Sequence, residues 1–143
     1  MLKELRSQGV TGETIRVVDY DIRPGVGADM GEGDRWPQIL KRIKQADVLV
    51  LATPTWVGHM SSVAQRVLDG AHKIIADTFQ GLNDIGFTLA AQGGTYWNHE
   101  AMNPKDYKDL DQTPQAVIAT NRTAVANAVH LARQLTRSQY PGS

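Results

Sequence analysis

The chain has 143 residues, 41% of them apolar and 21% charged, and contains no cysteine; its mean hydropathy is −0.33. These are the values of an ordinary soluble globular domain. A chain of this length buries roughly 68 to 70% of its unfolded surface, enough for a core without disulfides or a structural metal. The lack of cysteine excludes thiol catalysis, thiolate zinc sites, iron–sulfur ligation and a disulfide framework, and fits a reducing cytoplasm. Fifteen Lys and Arg balance fifteen Asp and Glu, so no global field points to nucleic acid or an anionic membrane. The opening residues carry Lys3, Glu4 and Arg6 without an apolar stretch, and the longest apolar run, 48–52, is far too short to span a bilayer. The expectation is a cytoplasmic protein with no membrane span and no nucleic-acid partner.

Residues 1–8 read as the end of an amphipathic helix, with Leu2 and Leu5 at helical spacing and Gly9 placed for a left-handed C-terminal residue. Residues 14–20 (TIRVVDY) are β-branched and aromatic and predict a strand; Pro24, Gly25, Gly27, Gly31 and Gly33 then mark a loop over 21–34. Ile39, Leu40 and Ile43 share one face of a short helix over 36–45, and Pro37 suits its first turn. The run 47–52 (DVLVLA) is continuously apolar, the pattern of a central strand covered on both faces by helices. After it, Ser62-Val63-Ala64-Gln65 has the S-x-x-Q form of a capping box, and a 3.6-residue apolar stripe from Val63 to Leu82 predicts one long helix. A third strand is expected over 85–91, followed by a long polar segment, 92–112, whose length implies a functional loop or a docking arm. Thr113 and Pro114 then supply a cap and a first-turn proline for a final helix carrying Val117, Ile118, Val125, Val129, Leu131 and Leu135. Alternating strands and helices predict an α/β class with a parallel sheet, in one domain over 1–143.

Four motifs come close without qualifying. The glycines at 25, 27 and 31 follow a predicted strand but are spaced G-x-G-x-x-x-G, and no helix starts there to present amides to a pyrophosphate. Asp19 and Asp21 begin like a calcium loop that Arg23 and Pro24 break. His99-Glu100 lacks the second histidine of a zinc helix, since Asn103 stands in its place. Asn121-Arg122-Thr123 is a sequon inside a predicted helix. The histidines, His59, His72, His99 and His130, each stand alone, so neither a hydrolase triad nor a metal site has support.

In a parallel sheet ligands bind beyond the carboxyl ends of the strands, where backbone groups and helix N-termini face an uncovered crevice. Residues 53–62 occupy such an end. Trp56 and Met60 suit the face or edge of a planar ligand, Thr55, His59 and Ser61 can hydrogen-bond it, and Gly58 permits close backbone approach. A strand-to-helix turn around a buried tryptophan explains the same residues equally well.

Residues 46–70 (ADVLVLATPTWVGHMSSVAQRVLDG) resemble the third strand, loop and helix of the flavodoxin-like NADPH-dependent FMN reductases, including the quinone reductases of the tryptophan-repressor-binding-protein type. In that family a strand ending in [AGT]-T-P-[TI]-x-x-G sets its loop beside the flavin. Residues 81–88 (GLNDIGFT) and 91–97 (AQGGTYW) are similar to the family's last strand and the loop after it. The resemblance implies a flavodoxin-like parallel sheet flanked by helices, incomplete because the first strand, with its phosphate-binding loop, and one later strand have no counterpart here. It implies that Thr53, Pro54, Thr55, Trp56, Val57, Gly58, His59 and Met60 line the isoalloxazine, and that Gly93, Gly94, Thr95 and Tyr96 border the ring or the nicotinamide. The implied activity is transfer of electrons from NAD(P)H, as co-substrate, through FMN to a quinone, free flavin or other small acceptor, with no obligatory catalytic acid or base, in a homo-oligomer. The alternative is a flavin-free binding or scaffold protein that has lost the phosphate loop.

Overall fold

The computed structural model describes residues 1–24, 27–56, 59–71, 82–83, 86–97 and 105–141. Its elements in chain order are α1 (Leu2–Ser7), a single 3-10 turn (Val17–Asp19), α2 (Trp36–Lys44), β1 (Thr55–Trp56), β2 (His59–Met60), α3 (Ser62–Ala71), a second 3-10 turn (Tyr107–Asp109) and α4 (Gln115–Arg137). They group into two compact units, one made of Met1–Glu13 with Leu89–Ser143 and the other of Thr14–Thr88.

In the first unit, α4 buries Val117, Ala124, Val125 and Val129 along one stripe. Leu5 of α1 packs on Val125 and Val129, with Met1 and Val10 at the margin. The expected left-handed glycine ends α1: Gly9 has φ +75°. Its N–H reaches the Arg6 carbonyl at 3.0 Å and the Val10 N–H reaches Leu5 at 3.1 Å, which is the Schellman arrangement, completed by the contact of Val10 with the Leu5 cluster. Outside this core, Arg122 pairs with Glu4 at 3.6 Å and Arg133 donates to the Gln8 carbonyl at 3.1 Å. Helix α4 begins one residue later than a Thr113 cap requires. Pro114 is its N-cap, with extended backbone and no side-chain cap, because a proline there already fixes the turn and its carbonyl accepts the Ile118 N–H at 3.1 Å.

In the second unit, Trp36 and Ile39 of α2 are each only 2% exposed and pack with Ile22 and with Val67 of α3. Leu40 and Ile43 continue the same face, and Ile15, Val17 and Tyr20 close over it. The start of α2 is built by Asp34. Its carboxylate accepts the N–H groups of Trp36 (3.0 Å), Met30 (3.0 Å) and Arg23 (3.4 Å). Desolvation pushes this carboxyl up, but those three donors together with the Arg23 charge outweigh it and hold the pKa below the ordinary 3.8.

The three expected strands differ from what is observed. Residues 14–20 are interrupted by the 3-10 turn, 47–52 carry no ladder and leave Val50 45% exposed, and 86–87 close a helical turn rather than open a strand. There Gly86, at φ +95°, bonds Asn83 at 3.0 Å while the Phe87 N–H bonds Leu82 at 2.9 Å; Ile85 lies outside the described residues. Apolar and β-branched residues report a taste for half-buried, pleated surface, whereas a strand also needs a neighbour to share its N–H and C=O groups. Among the described residues the sheet consists of the antiparallel pair β1–β2. The parallel flavodoxin-like sheet is therefore not displayed by them. Of the long helix expected from Val63 to Leu82, α3 supplies the first part, and 72–81 lie outside the described residues.

Two outcomes test these contacts. Gly9→Ala forces a Cβ into the left-handed region and should cost about 1 to 2 kcal/mol, read as a lowered urea midpoint. Because the folded pKa of Asp34 is depressed, its contribution is complete above the unfolded value of 3.8 and is lost as the pH falls through the lower folded value. Asp34→Ala should therefore cost about 1 to 2 kcal/mol at pH 7, and urea midpoints taken across the acid range should converge with the wild type at low pH.

Candidate functional site

The segment after 47–52 opens with Thr53-Pro54 and is closed by a side-chain clasp. Thr53 Oγ1 accepts the Ser61 N–H at 3.1 Å, and its one proton is shared between Ser61 Oγ at 3.0 Å and the Pro54 carbonyl at 3.2 Å. Ser61 Oγ in turn accepts the Ala64 N–H at 3.3 Å, so Ser61 is the N-cap of α3. The capping box expected at Ser62–Gln65 thus lies one residue too late. A cap must precede the first helical residue so that its oxygen can reach the N–H three residues on, and Ser61 holds that place. Inside the clasp, Thr55 pairs with Met60 and Trp56 with His59. Val57 and Gly58, between them, lie outside the described residues.

The second candidate segment, Gly93–Tyr96, belongs to the first unit. Ala90 and Gly93 close a turn through a 3.0 Å hydrogen bond, with Gln92 at φ +52°. A Cβ at Gly93 would stand 2.8 Å from the Ala90 carbonyl oxygen, so only glycine fits. Two polar residues of α4 fasten this segment: Asn127 Nδ2 donates to the Ala91 carbonyl at 2.6 Å, and the hydroxyls of Thr95 and Thr120 are 2.8 Å apart. Between segment and helix runs a cleft of about 200 Å³ lined by Gly94, Thr95, Tyr96, Ala116, Val117 and Thr120. Tyr96 is 78% exposed.

The cleft has a definite polarity. The Thr120 proton serves Ala116 O (3.0 Å) or Val117 O (3.2 Å) of its own helix, which leaves Thr95 to donate to Thr120 and keep both lone pairs free for a ligand N–H. Among the described residues no charged side chain lines the space. Small-molecule pockets span about 300 to 1,000 Å³, so this cleft accommodates one ring or amide rather than a whole nucleotide, and its uncharged lining suits a ring edge rather than a phosphate.

The predicted site residues thus fall in two places. Thr53 to Met60 form a clasped hairpin in one unit, and Gly93 to Tyr96 form one wall of a cleft in the other. Of the lone histidines, His130 is exposed on α4, and His72 and His99 lie outside the described residues. Sequence reasoning missed Ser61 as a cap and missed Thr120 and Asn127 altogether. The signals were the tandem Ser61-Ser62, either of which can cap, and the seven-residue spacing of Thr120 and Asn127, which stacks them on one face of α4. Among the described residues no group of His, Asp and Glu is arranged to hold a metal ion.

The NADPH-dependent FMN reductase family model matches residues 1–136. Over 71 residues, 43% of this chain and 28% of the relative, it is 32% identical to the 8-demethyl-8-aminoriboflavin-5'-phosphate synthase of Streptomyces davaonensis. Over 96 residues, 62% of this chain and 49% of the relative, it is 28% identical to an iron–sulfur flavoprotein of Methanocaldococcus jannaschii. It is also 44% identical over 69 residues, 46% of this chain, to a tenth of the divalent metal cation transporter MntH of Mycobacterium bovis. None of the described helices is long and apolar enough to cross a membrane. The matches span half or less of the length of these relatives, and no solved structure matches significantly. The sequence has no cysteine to serve as a thiolate ligand of an iron–sulfur cluster. With a family match across nearly its whole length, the chain belongs to the NADPH-dependent FMN reductases.

Proposed function

We propose that the chain acts in an FMN-dependent NAD(P)H oxidoreductase that passes electrons to a quinone, a free flavin or another small acceptor. The observation that carries this reading is the family match over residues 1–136, which takes in both candidate segments. The clasped Thr53-Pro54-Thr55 loop and the uncharged cleft at Gly94–Tyr96 support it as surfaces suited to a flat heterocycle. A flavodoxin-like sheet is part of the same reading.

When bound, FMN supplies the redox chemistry, accepting hydride from NAD(P)H and releasing electrons to the acceptor. The protein's task is then to bind, orient and exclude water. The loop from Thr53 to Met60 offers backbone to one edge of the ring. In the other unit, Thr95 offers a hydrogen-bond acceptor, and Tyr96 an exposed aromatic face, to a flat ring. No protein acid or base is required at either place. Self-association belongs to this reading as well, because an extended apolar segment with Val50 exposed is readily covered by a second copy.

Titration of the purified chain with FMN should give a bound, yellow species whose absorbance is bleached by NADPH under anaerobic conditions. A chain that stays colourless in excess FMN overturns the reading in favour of the flavin-free alternative. Trp56→Ala should weaken FMN by about 1 to 3 kcal/mol, the loss of one aromatic packing contact, measured by quenching of flavin fluorescence.

A further inference from the structure

The hydroxyl of Thr53 is turned into the chain itself. In a capping box the N-cap oxygen takes the N–H of the third helical residue, and a Glu or Gln at that third position returns a bond to the N-cap N–H. Ser61 performs the first half, accepting the Ala64 N–H at 3.3 Å. The third residue is alanine, however, and has nothing to return. Thr53 Oγ1, eight residues back in sequence, takes the Ser61 N–H at 3.1 Å in its place, and its proton lies within reach of both the cap oxygen at 3.0 Å and the Pro54 carbonyl at 3.2 Å. The box is complete, but one of its members comes from the far side of the loop.

This arrangement links two things that are otherwise independent, the start of α3 and the geometry of the hairpin. Strands of two residues are marginal alone, and the clasp stands just outside their outermost pair, Thr55 with Met60. We infer that Thr53 is a positioning residue for the cofactor loop: through Ser61 its hydroxyl sets the span between the first residue of the loop and the first turn of α3, and so where the backbone of β1 and β2 meets the flavin. The inference rests on the function proposed above. It distinguishes Thr53, whose proton and one lone pair are engaged within the chain, from the loop residues that follow it.

The test compares FMN dissociation constants of wild type, Thr53→Val, Thr53→Ser and Asp34→Ala at a temperature where all are folded. Valine keeps the shape and β-branching of threonine and removes only the hydroxyl, leaving the Ser61 N–H without its acceptor. Thr53→Val should weaken FMN about tenfold or more, Thr53→Ser should restore wild-type affinity, and Asp34→Ala, which destabilises the same unit away from the loop, should leave affinity unchanged. Wild-type affinity in Thr53→Val overturns the inference alone. An equal loss in Asp34→Ala also overturns it, because the effect is then one of general stability. Failure of the wild type to bind FMN overturns both this inference and the function beneath it. Should Thr53→Val not fold, Ser61→Ala removes the other half of the clasp and is read against the same controls.

Discussion

Backbone N–H groups outside regular structure must find an acceptor, and in this chain side-chain oxygens meet that need at the decisive points. Asp34 gathers three such groups and thereby starts α2 with Trp36 and Ile39 facing inward. Ser61 and Thr53 do the same for α3 and bring Val67 to that core. Where no side chain serves, a left-handed glycine folds the chain back on its own carbonyls, at Gly9 and again at Gly86. A hydrogen bond of this kind is worth about 0.5 to 1.5 kcal/mol net, so these few oxygens direct where the helices start while the apolar core supplies the larger share of stability.

Helices were readable in the sequence where periodicity and an end signal agreed. The face of Ile39, Leu40 and Ile43, the proline at 37 and the glycine at 9 all stand as the pattern implied, because each is a local effect of one turn on the next. Cap positions were readable only to within one residue. Ser61 and Ser62 are chemically alike, and the choice between them is made by Thr53, which no local window contains. The strands were the least readable. Residues 14–20 and 47–52 have strand-like composition, but whether such a segment is paired depends on a neighbour elsewhere in the chain.

The candidate site divides along the same line. Its residue types follow from the sequence and from the family to which the chain belongs. The bonds that shape it do not: Thr95 to Thr120 and Ala91 to Asn127 each join positions more than twenty residues apart. Polar residues on an amphipathic helix are usually assigned to solvent, and only the fold reveals that these two hold a loop.

Those two bonds have a mechanical consequence. They attach to α4 two turns apart, so the stretch from Ala91 to Tyr96 is riveted to a 23-residue rod and cannot swing as a flap without breaking both or carrying the rod along. Its conformational entropy is lost during folding rather than at ligand capture. The wall of the cleft is thus shaped before anything meets it, by the same bonds that hold the segment to α4.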